Sequence, residues 1–346
     1  MPLLLSSRAS TSSPLPLLTS SEARLRGVRH RGSDWLRVRT GVYVDRSAYQ
    51  KLSPSERYAV RVHAFLRTHP DAILCFESAG VIHGLPTFGE TEHIHVYDPS
   101  RARSRRFSDV CVHTSEDSRQ VERVDGTLVT SLLDTVVDLA RVLPPARAVA
   151  VADSVVSPVQ GGTLQLDELR LRTGEQVNRR GRRRASWTWD HTVPLSESPA
   201  ESVSRLVIAW NGFETPALQQ VFRYEGHEDR TDFYFPSSRV IGECDGWQKY
   251  ALGEPEKAAK LLADEKRRED QLRRHRHPFA RWDLRDAWKS APVREALLAA
   301  GAELVRPPET GMLRTLAIRS REKPFRALDT TPGAMSRRRN DDSPPK

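Results

Sequence analysis

The first clear periodic pattern lies in residues 35–44, where apolar and basic side chains alternate on either side of Gly41. Alternation with a period of two around a glycine predicts a short β-hairpin with one basic face. Other short patterns predict strands at residues 94–97 and 110–113 and helices at residues 78–83 and 131–142. The first half of the chain is therefore predicted to be mixed α/β.

A capping box marks the start of a helix in the second half of the chain, at Ser198 and Glu201. In this motif the two side chains satisfy the first backbone N–H groups of the helix, so we expect Glu201 to bond the Ser198 backbone. Apolar residues then recur with a helical period as far as Trp210, and Asn211 and Gly212 follow as a helix end. The pattern predicts a helix of about a dozen residues.

Three apolar stretches after this helix predict antiparallel strands, at residues 218–224, 230–236 and 239–246. The elements beyond them are predicted to be a long charged helix, a further strand and a closing helix, at residues 254–277, 279–284 and 293–300. This order predicts a C-terminal domain built on a mixed sheet.

Acidic residues recur at alternate positions on the second and third of these strands. A tight hairpin between them pairs Tyr234 with Ile241 and Asp232 with Glu243, and Asp245 shares the acidic face. Three carboxylates on one face repel one another, which is costly without a cation. A hard divalent ion, Mg²⁺ or Mn²⁺, offsets the repulsion and can promote phosphate-ester cleavage. The alternative is a solvent-facing strand with scattered acids.

Composition narrows the class of protein. The 346 residues suggest two or three domains, and 54 basic against 45 acidic residues give a net charge of +9, which favours a polyanionic partner. The three cysteines show no paired spacing, so neither a disulfide framework nor a zinc site is indicated, and a reducing cytoplasm is expected. No apolar run approaches the roughly eighteen residues of a membrane span.

Basic residues are concentrated near the N-terminus and in the middle of the chain. We expect five arginines to contact DNA phosphates if they share a face, the alternative being an ordinary solvated surface: Arg24, Arg26, Arg29, Arg37 and Arg39. The run RRGRRR at residues 179–184 lies in a polar stretch, 173–195, that predicts a basic linker. Residues 1–17 and the end of the 307–346 extension are predicted to be disordered.

The N-terminal half resembles AbiEi-type antitoxin and transcriptional-regulator proteins of actinobacteria. The resemblance lies in LRVRTGVYV at 36–44, ESAGVIHGLP at 77–86 and VTSLLDTVVDLAR at 129–141. It implies a winged helix-turn-helix that binds DNA at residues 18–62, a small α/β domain at residues 63–172, and a toxin protein as a further partner.

The C-terminal part, residues 196–306, resembles the PD-(D/E)XK restriction-like endonucleases, close to the very short patch repair (Vsr-type) branch. The matched positions are Glu201, Ser202, Arg205, Gln219, Arg230, Asp232, Phe233, Glu243, Asp245, Gly246, Lys249, Tyr250, Glu265, Lys266, Arg268, Glu269, Arg281 and Trp282. The resemblance implies DNA phosphodiester hydrolysis with Glu201, Asp232 and Glu243 holding the metal ion.

One departure from that family concerns the catalytic lysine. Asp245 stands where the superfamily usually has lysine, so Lys249, a few residues further on, is the candidate to supply the ammonium group. Arg230, Lys266 and Arg268 are further candidates for phosphate contacts, the alternative being a solvated helix face.

Two functions from different classes follow. The leading hypothesis is a Mg²⁺-dependent DNA endonuclease or nickase that carries its own DNA-binding module. The alternative is a non-enzymatic DNA-binding antitoxin or regulator with a degenerate nuclease fold.

Overall fold

The computed structural model describes residues 12–30, 32–89, 91–245 and 255–318. Within these ranges the chain forms three β-sheets and thirteen helices, which confirms the predicted mixed α/β class. None of the described helices is both long and apolar enough to cross a lipid bilayer. Most of the two chain ends predicted to be disordered, residues 1–11 and 319–346, lie outside the described residues.

The first sheet has three short strands in the order β1-β3-β2. Its strands and the adjoining helices are β1 Leu18–Thr19, α1 Ser20–Leu25, β2 Trp35–Arg39, β3 Val42–Asp45, α2 Arg46–Lys51 and α3 Pro54–Leu66. β2 and β3 pair antiparallel around Gly41, whose φ of 77° is a left-handed conformation that glycine adopts without strain. The predicted hairpin is confirmed, and the helix before it has six residues.

A six-stranded sheet follows, with the strand order β6-β7-β5-β4-β9-β8. Its strands, and the helix after β4, are β4 Ile73–Leu74, α4 Phe76–Ile82, β5 Ile94–Tyr97, β6 Arg105–Phe107, β7 Val110–His113, β8 Val121–Val124 and β9 Thr127–Thr130. β5 is parallel to β7 and β4 is parallel to β9, while the other pairs are antiparallel. The strands predicted at 94–97 and 110–113 are confirmed.

Four helices connect this sheet to the C-terminal part: α5 Leu132–Val142, α6 Pro145–Val156, α7 Leu166–Glu175 and α8 Arg182–Asp190. α8 packs through Ala185 and Trp189, which are 0% and 2% exposed and share a core cluster with residues of α5 and α6. The prediction of a polar linker at 173–195 is therefore wrong for this segment. Ala185 and Trp189 stand among arginines in the sequence, but their i, i+4 spacing is enough to bury one face of α8.

The C-terminal part has the order helix, three strands, helix, strand. These elements are α9 Pro199–Trp210, β10 Ala217–Tyr224, β11 His227–Phe235, β12 Val240–Asp245, α10 Pro255–Arg274 and β13 Phe279–Asp283, followed by α11 Leu284–Lys289, α12 Ala291–Ala300 and α13 Thr310–Thr315. The sheet order is β10-β11-β12-β13, with β13 parallel to β12 and the other pairs antiparallel. Tyr234 pairs with Ile241, so the predicted hairpin register is confirmed.

One hydrophobic core joins the middle and C-terminal parts of the chain. Ala146, Val149 and Ala150 of α6 belong to the same buried cluster as the apolar face of α9 and the inner face of the C-terminal sheet. The fully buried Asp153 of α6 also lies 3.1 Å from Arg205 of α9. The two parts are therefore packed as neighbours through α6 and α9.

Candidate metal centre

Glu201 lies in the first turn of α9 and is 8% exposed. Its carboxylate accepts hydrogen bonds from the Ser198 hydroxyl at 2.8 Å, the Glu197 backbone N–H at 2.9 Å and the Gln219 side-chain amide at 2.9 Å. The expected bond to the Ser198 backbone is thus replaced by one to the preceding residue. Burial raises the pKa of Glu201 to about 7, and the charge of Asp232 acts in the same direction.

Asp232 lies on β11 and is tied to the neighbouring strand. Its Oδ2 accepts the backbone N–H of Cys244 at 2.9 Å, which holds the carboxylate beside the strand that carries the next two acids. The other face of that strand packs against α9, because the Trp282 indole donates to the Ser204 hydroxyl at 2.8 Å and this hydroxyl donates to the Cys244 sulfur at 3.3 Å. Glu243 and Asp245 therefore lie on the face of the strand opposite Cys244.

Glu243 is 5% exposed on β12, and two arginines neutralise it. Nη2 of Arg268 donates to both carboxylate oxygens at 2.6 and 2.7 Å, and Nη2 of Arg281 lies 3.2 Å from Oε2. Burial raises the pKa of Glu243; Arg268 opposes this change and Asp232 adds to it. Arg268 was expected to contact DNA phosphate; in this structure its guanidinium group is bound to a buried carboxylate, and the phosphate contact stays a prediction.

Arg281 lies on β13 at the centre of an acidic group. Its Nη1 donates to Asp245 at 3.2 Å and to Glu265 at 2.8 Å, and its Nε lies 3.1 Å from Glu269. Partial burial lowers the pKa of Arg281, but the bond to Glu265 and the charges of Glu243 and Asp245 raise it overall. A guanidinium group is thus the cation that these acids hold in this structure.

Three of the acids are close enough to share a metal ion. One carboxylate oxygen from each of Glu243, Asp245 and Glu265 lies within 4.8 Å of the others. Carboxylate oxygens suit Mg²⁺ and Mn²⁺, so the donor set fits a hard divalent ion. It shares only Glu243 with the predicted set, which also contained Glu201 and Asp232. A metal ion at this group would compete with Arg281 for the same oxygens.

The other site residues predicted on the C-terminal part have separate positions. Arg230 is exposed and donates to Glu197 at 2.7 Å. Lys266 is exposed on α10, and no ion pair of it is seen within the described ranges. Lys249 lies outside the described residues, so its role stays a prediction.

The five N-terminal arginines divide into two groups. Arg39 is half-buried, pairs with Asp109 at 3.0 Å and lies over the Phe65 ring at 4.7 Å. Because Arg39 is already paired with an acid inside the protein, it is a poor candidate for DNA contact. The remaining members of the predicted set are exposed: Arg24, Arg26, Arg29 and Arg37.

The sequence patterns did not assign a role to Glu265 and Glu269, which extend the acidic group, or to Arg281, which contacts both of them. The i, i+4 spacing of Glu265 and Glu269 places both on one face of α10, and Arg281 is on a strand predicted beside it. The spacing was therefore a usable signal for a paired acidic face, but the arginine that contacts both acids lies sixteen residues from Glu265 and twelve from Glu269 in the chain.

Comparison with known proteins adds relatives but no activity. No protein-family model matches the chain, and no solved structure matches it. Two curated relatives from Mycobacterium tuberculosis, in strains CDC 1551 / Oshkosh and ATCC 25618 / H37Rv, are each 30% identical to it over 181 residues, and both are described as uncharacterized proteins. The match covers 52% of this chain and 65% of each relative, so the chain spans somewhat less than two thirds of their length.

Proposed function

We propose that the protein is a divalent-metal-dependent DNA endonuclease or nickase with an attached DNA-binding module. The observation that supports this most is the group of carboxylates formed by the acids of the C-terminal sheet together with Glu201 at the start of α9. Glu243 and Glu201 are both buried and lie close enough to Asp232 for its charge to raise their pKa values. Arg268 and Arg281 offset part of this negative charge, and a bound divalent ion would offset the repulsion that remains between Glu201, Asp232 and Glu243.

The chain's own residues supply the parts that hydrolysis of a phosphodiester requires. Asp232, Glu243 and Glu201 are the proposed ligands of Mg²⁺ or Mn²⁺, with Asp245 and Glu265 as further oxygen donors beside Glu243. A bound divalent ion supplies charge stabilisation and a more acidic water. Gln219 holds the Glu201 carboxylate in place, and the exposed Lys266 of α10 is the proposed contact for a phosphate.

The DNA-binding module of this proposal is the N-terminal part, residues 18–62, as a winged helix. Its four exposed arginines and its basic hairpin support phosphate contact, since lysine and arginine charges on one surface give most of the non-specific affinity for DNA. DNA is therefore the proposed substrate, and the reducing cytoplasm is the proposed location.

A cleavage assay tests the proposal directly. Purified full-length protein is incubated with supercoiled plasmid, mismatched and branched DNA, with Mg²⁺, with Mn²⁺ and with a chelator. We expect metal-dependent nicking that is lost in Asp232→Asn and in Glu243→Gln. The control is Asp264→Asn, an exposed acid of α10 paired with Arg267, which should cut like the unmodified protein. Undiminished cleavage by both site variants would contradict the nuclease proposal.

A second candidate function is favoured by a specific observation. Arg268 and Arg281 already neutralise Glu243 and Asp245, and Asp245 replaces the lysine that the resembled nucleases usually carry. In this alternative the protein is a non-enzymatic antitoxin-type regulator that binds DNA or a toxin protein. It predicts DNA binding without cleavage at any metal concentration, and co-purification of a partner when the neighbouring genes are expressed together.

A further inference from the structure

A cleft of about 1250 Å³ lies in the middle part of the chain, and none of the proposed metal ligands lines it. Its walls come from the ends of β5 and β7, from α5 and the turn after it, from α8 and from α13. Its size is at or above the upper end of the range of small-molecule sites, so it can admit a ligand as large as a nucleotide. The RRGRRR run, which the proposed nuclease does not use, forms part of its rim.

The rim carries exposed positive charge. Arg180, Arg183 and Arg184 line the cleft, are exposed, and have no ion pair in the parts of the chain that the structure describes. Arg183 and Arg184 also lie in the first turn of α8, where the positive end of the helix dipole disfavours cations. An anion bound at this rim would relieve both sources of repulsion.

A buried arginine, Arg141, lies next to this basic rim. Arg141 of α5 is 7% exposed, and its Nη1 donates to the backbone oxygens of Asn178 and Arg180 at 2.7 and 3.1 Å. Within the described residues its Nε and Nη2 have no hydrogen-bond partner, which is expensive for a buried cation. Burial lowers the pKa of Arg141, and the charges of Asp138 and Asp117 offset this effect only in part.

Gly181 brings the rim against this arginine. Its φ is 74°, and a Cβ at this position would lie 2.5 Å from the backbone oxygen of Arg141. Only glycine allows the basic run to approach so closely. The buried guanidinium and the exposed ones are therefore held on one wall of the cleft by the backbone, and this arrangement is built into the fold.

Aromatic rings and hydroxyl-bearing side chains, most of them bonded within the protein, line the remaining walls. Phe76, Tyr97 and Trp187 line the cleft together with His113, whose Nε2 lies 2.9 Å from Nδ1 of the buried His95. The hydroxyl-bearing residues along the cleft are Thr114, Ser115, Thr130, Thr188 and Thr315. Aromatic faces beside arginines are the usual setting in which a base stacks while its phosphate is neutralised.

The net positive charge of the cleft lining favours an anionic ligand. Among the described residues that line the cleft, Asp138 is the one acid, and it is paired with Arg119 at 2.8 Å. We propose that the cleft binds a nucleoside monophosphate group, either free or at the end of a nucleic-acid strand, with the phosphate at Arg183 and Arg184 and the base among the rings. This inference does not depend on the proposed nuclease activity.

Calorimetric titration of the full-length protein tests the proposal. The probes are adenosine monophosphate, adenosine, inorganic phosphate, and a short single-stranded oligonucleotide with and without a terminal phosphate. We expect the monophosphate or the phosphorylated oligonucleotide to bind, and the unphosphorylated counterpart to bind at least about tenfold more weakly. If both phosphorylated probes bind and compete, the free and strand-end forms share the cleft; if only the oligonucleotide binds, the strand end is the ligand.

Matched arginine variants test whether the ligand binds at this rim. Arg183→Ala combined with Arg184→Ala should weaken binding by about tenfold or more, because two exposed phosphate contacts are lost without a change in the core. Arg179→Ala, in the same basic run but outside the cleft lining, should leave the affinity within about twofold. Asp232→Asn should also leave the affinity of the cleft unchanged. Failure of the nuclease proposal can therefore be distinguished from failure of this one.

Three results would overturn the proposal: no binding of any phosphorylated probe at about 1 mM, equal binding of phosphorylated and unphosphorylated probes, or an unchanged affinity in the double arginine variant. The melting temperature of each variant is measured in parallel. Because Arg183 and Arg184 are exposed, it should stay close to that of the unmodified protein.

Discussion

The guanidinium group of Arg268 holds both carboxylate oxygens of Glu243, at 2.6 and 2.7 Å. Because Glu243 is buried on β12 while Arg268 belongs to α10, this contact fixes the long helix against the acidic face of the sheet. It also opposes the effect of burial, which raises the pKa of Glu243 and favours the neutral acid.

The first prediction concerns this pair. Arg268→Ala should lower the free energy of unfolding by about 1–3 kcal/mol, because the buried carboxylate loses its main partner while Arg268 itself is partly exposed. Urea unfolding measures the change. Arg267→Ala, whose side chain is 75% exposed, is the control and should change stability by less than about 0.5 kcal/mol. Combining Arg268→Met with Glu243→Gln should recover most of the loss; no recovery would mean that the contact is not the cause.

The second prediction is a pH dependence at Glu201. The pKa of this residue is raised from 4.5 to about 7 by burial and by Asp232, so the folded state holds its proton more tightly than the unfolded state. The stability it contributes is therefore complete below about pH 4.5 and is lost as the pH rises through about 7.

Glu201→Gln keeps the neutral form at every pH. We expect its melting temperature, relative to the unmodified protein, to rise steadily between about pH 5 and about pH 8, with Glu303→Gln as the control at an exposed acid. A difference that does not vary over this interval would contradict the raised pKa.

The third prediction concerns Lys249, which lies outside the described residues. If its ammonium group replaces the lysine of the resembled nucleases, Lys249→Ala should slow metal-dependent cleavage by roughly 10² or more while metal affinity changes little. The competing hypothesis makes Asp245 a further metal ligand, so that Asp245→Asn weakens metal binding and Lys249→Ala has no effect. Cleavage rates measured over a range of Mg²⁺ concentration separate the two.

The fourth prediction tests the N-terminal basic surface. Replacing the four exposed arginines Arg24, Arg26, Arg29 and Arg37 with alanine should weaken DNA binding and flatten its salt dependence, by about 0.9 in the slope for each lost phosphate contact. Fluorescence anisotropy over a series of salt concentrations measures this slope. Arg39→Ala is the informative contrast, because its pair with Asp109 should make it cost stability rather than affinity. Identical slopes for the fourfold variant and the unmodified protein would exclude this surface.

The fifth prediction tests the shared core of the middle and C-terminal parts. Asp153 is fully buried, accepts the Val193 N–H at 2.8 Å and pairs with Arg205 of α9. Asp153→Ala should therefore cost about 3–5 kcal/mol, because it leaves a largely buried arginine without its acid. Asp167→Ala, with a side chain 92% exposed, should cost almost nothing. A wild-type-like midpoint for Asp153→Ala would show that the two parts unfold independently of this contact.

The features that depend on local periodicity follow from the order of amino acids alone. The hairpin around Gly41, the helix at residues 131–142 and the pairing of Tyr234 with Ile241 follow from which neighbouring positions are apolar. The same period of two placed Glu243 and Asp245 on one face of β12, because successive side chains of a strand point to opposite faces. The acidic face therefore follows from the order of residues along the strand.

Which cations contact that acidic face depends on how distant parts of the chain pack together. Arg268 and Arg281 contact Glu243 from positions 25 and 38 residues away along the chain. Contacts of this kind depend on how elements pack and on what becomes buried, and neither is set by local spacing. The same reason explains why the run around Gly181 was predicted to be a linker. Its place beside Arg141 follows from the packing of α8 on α5, through two apolar residues that the surrounding arginines conceal.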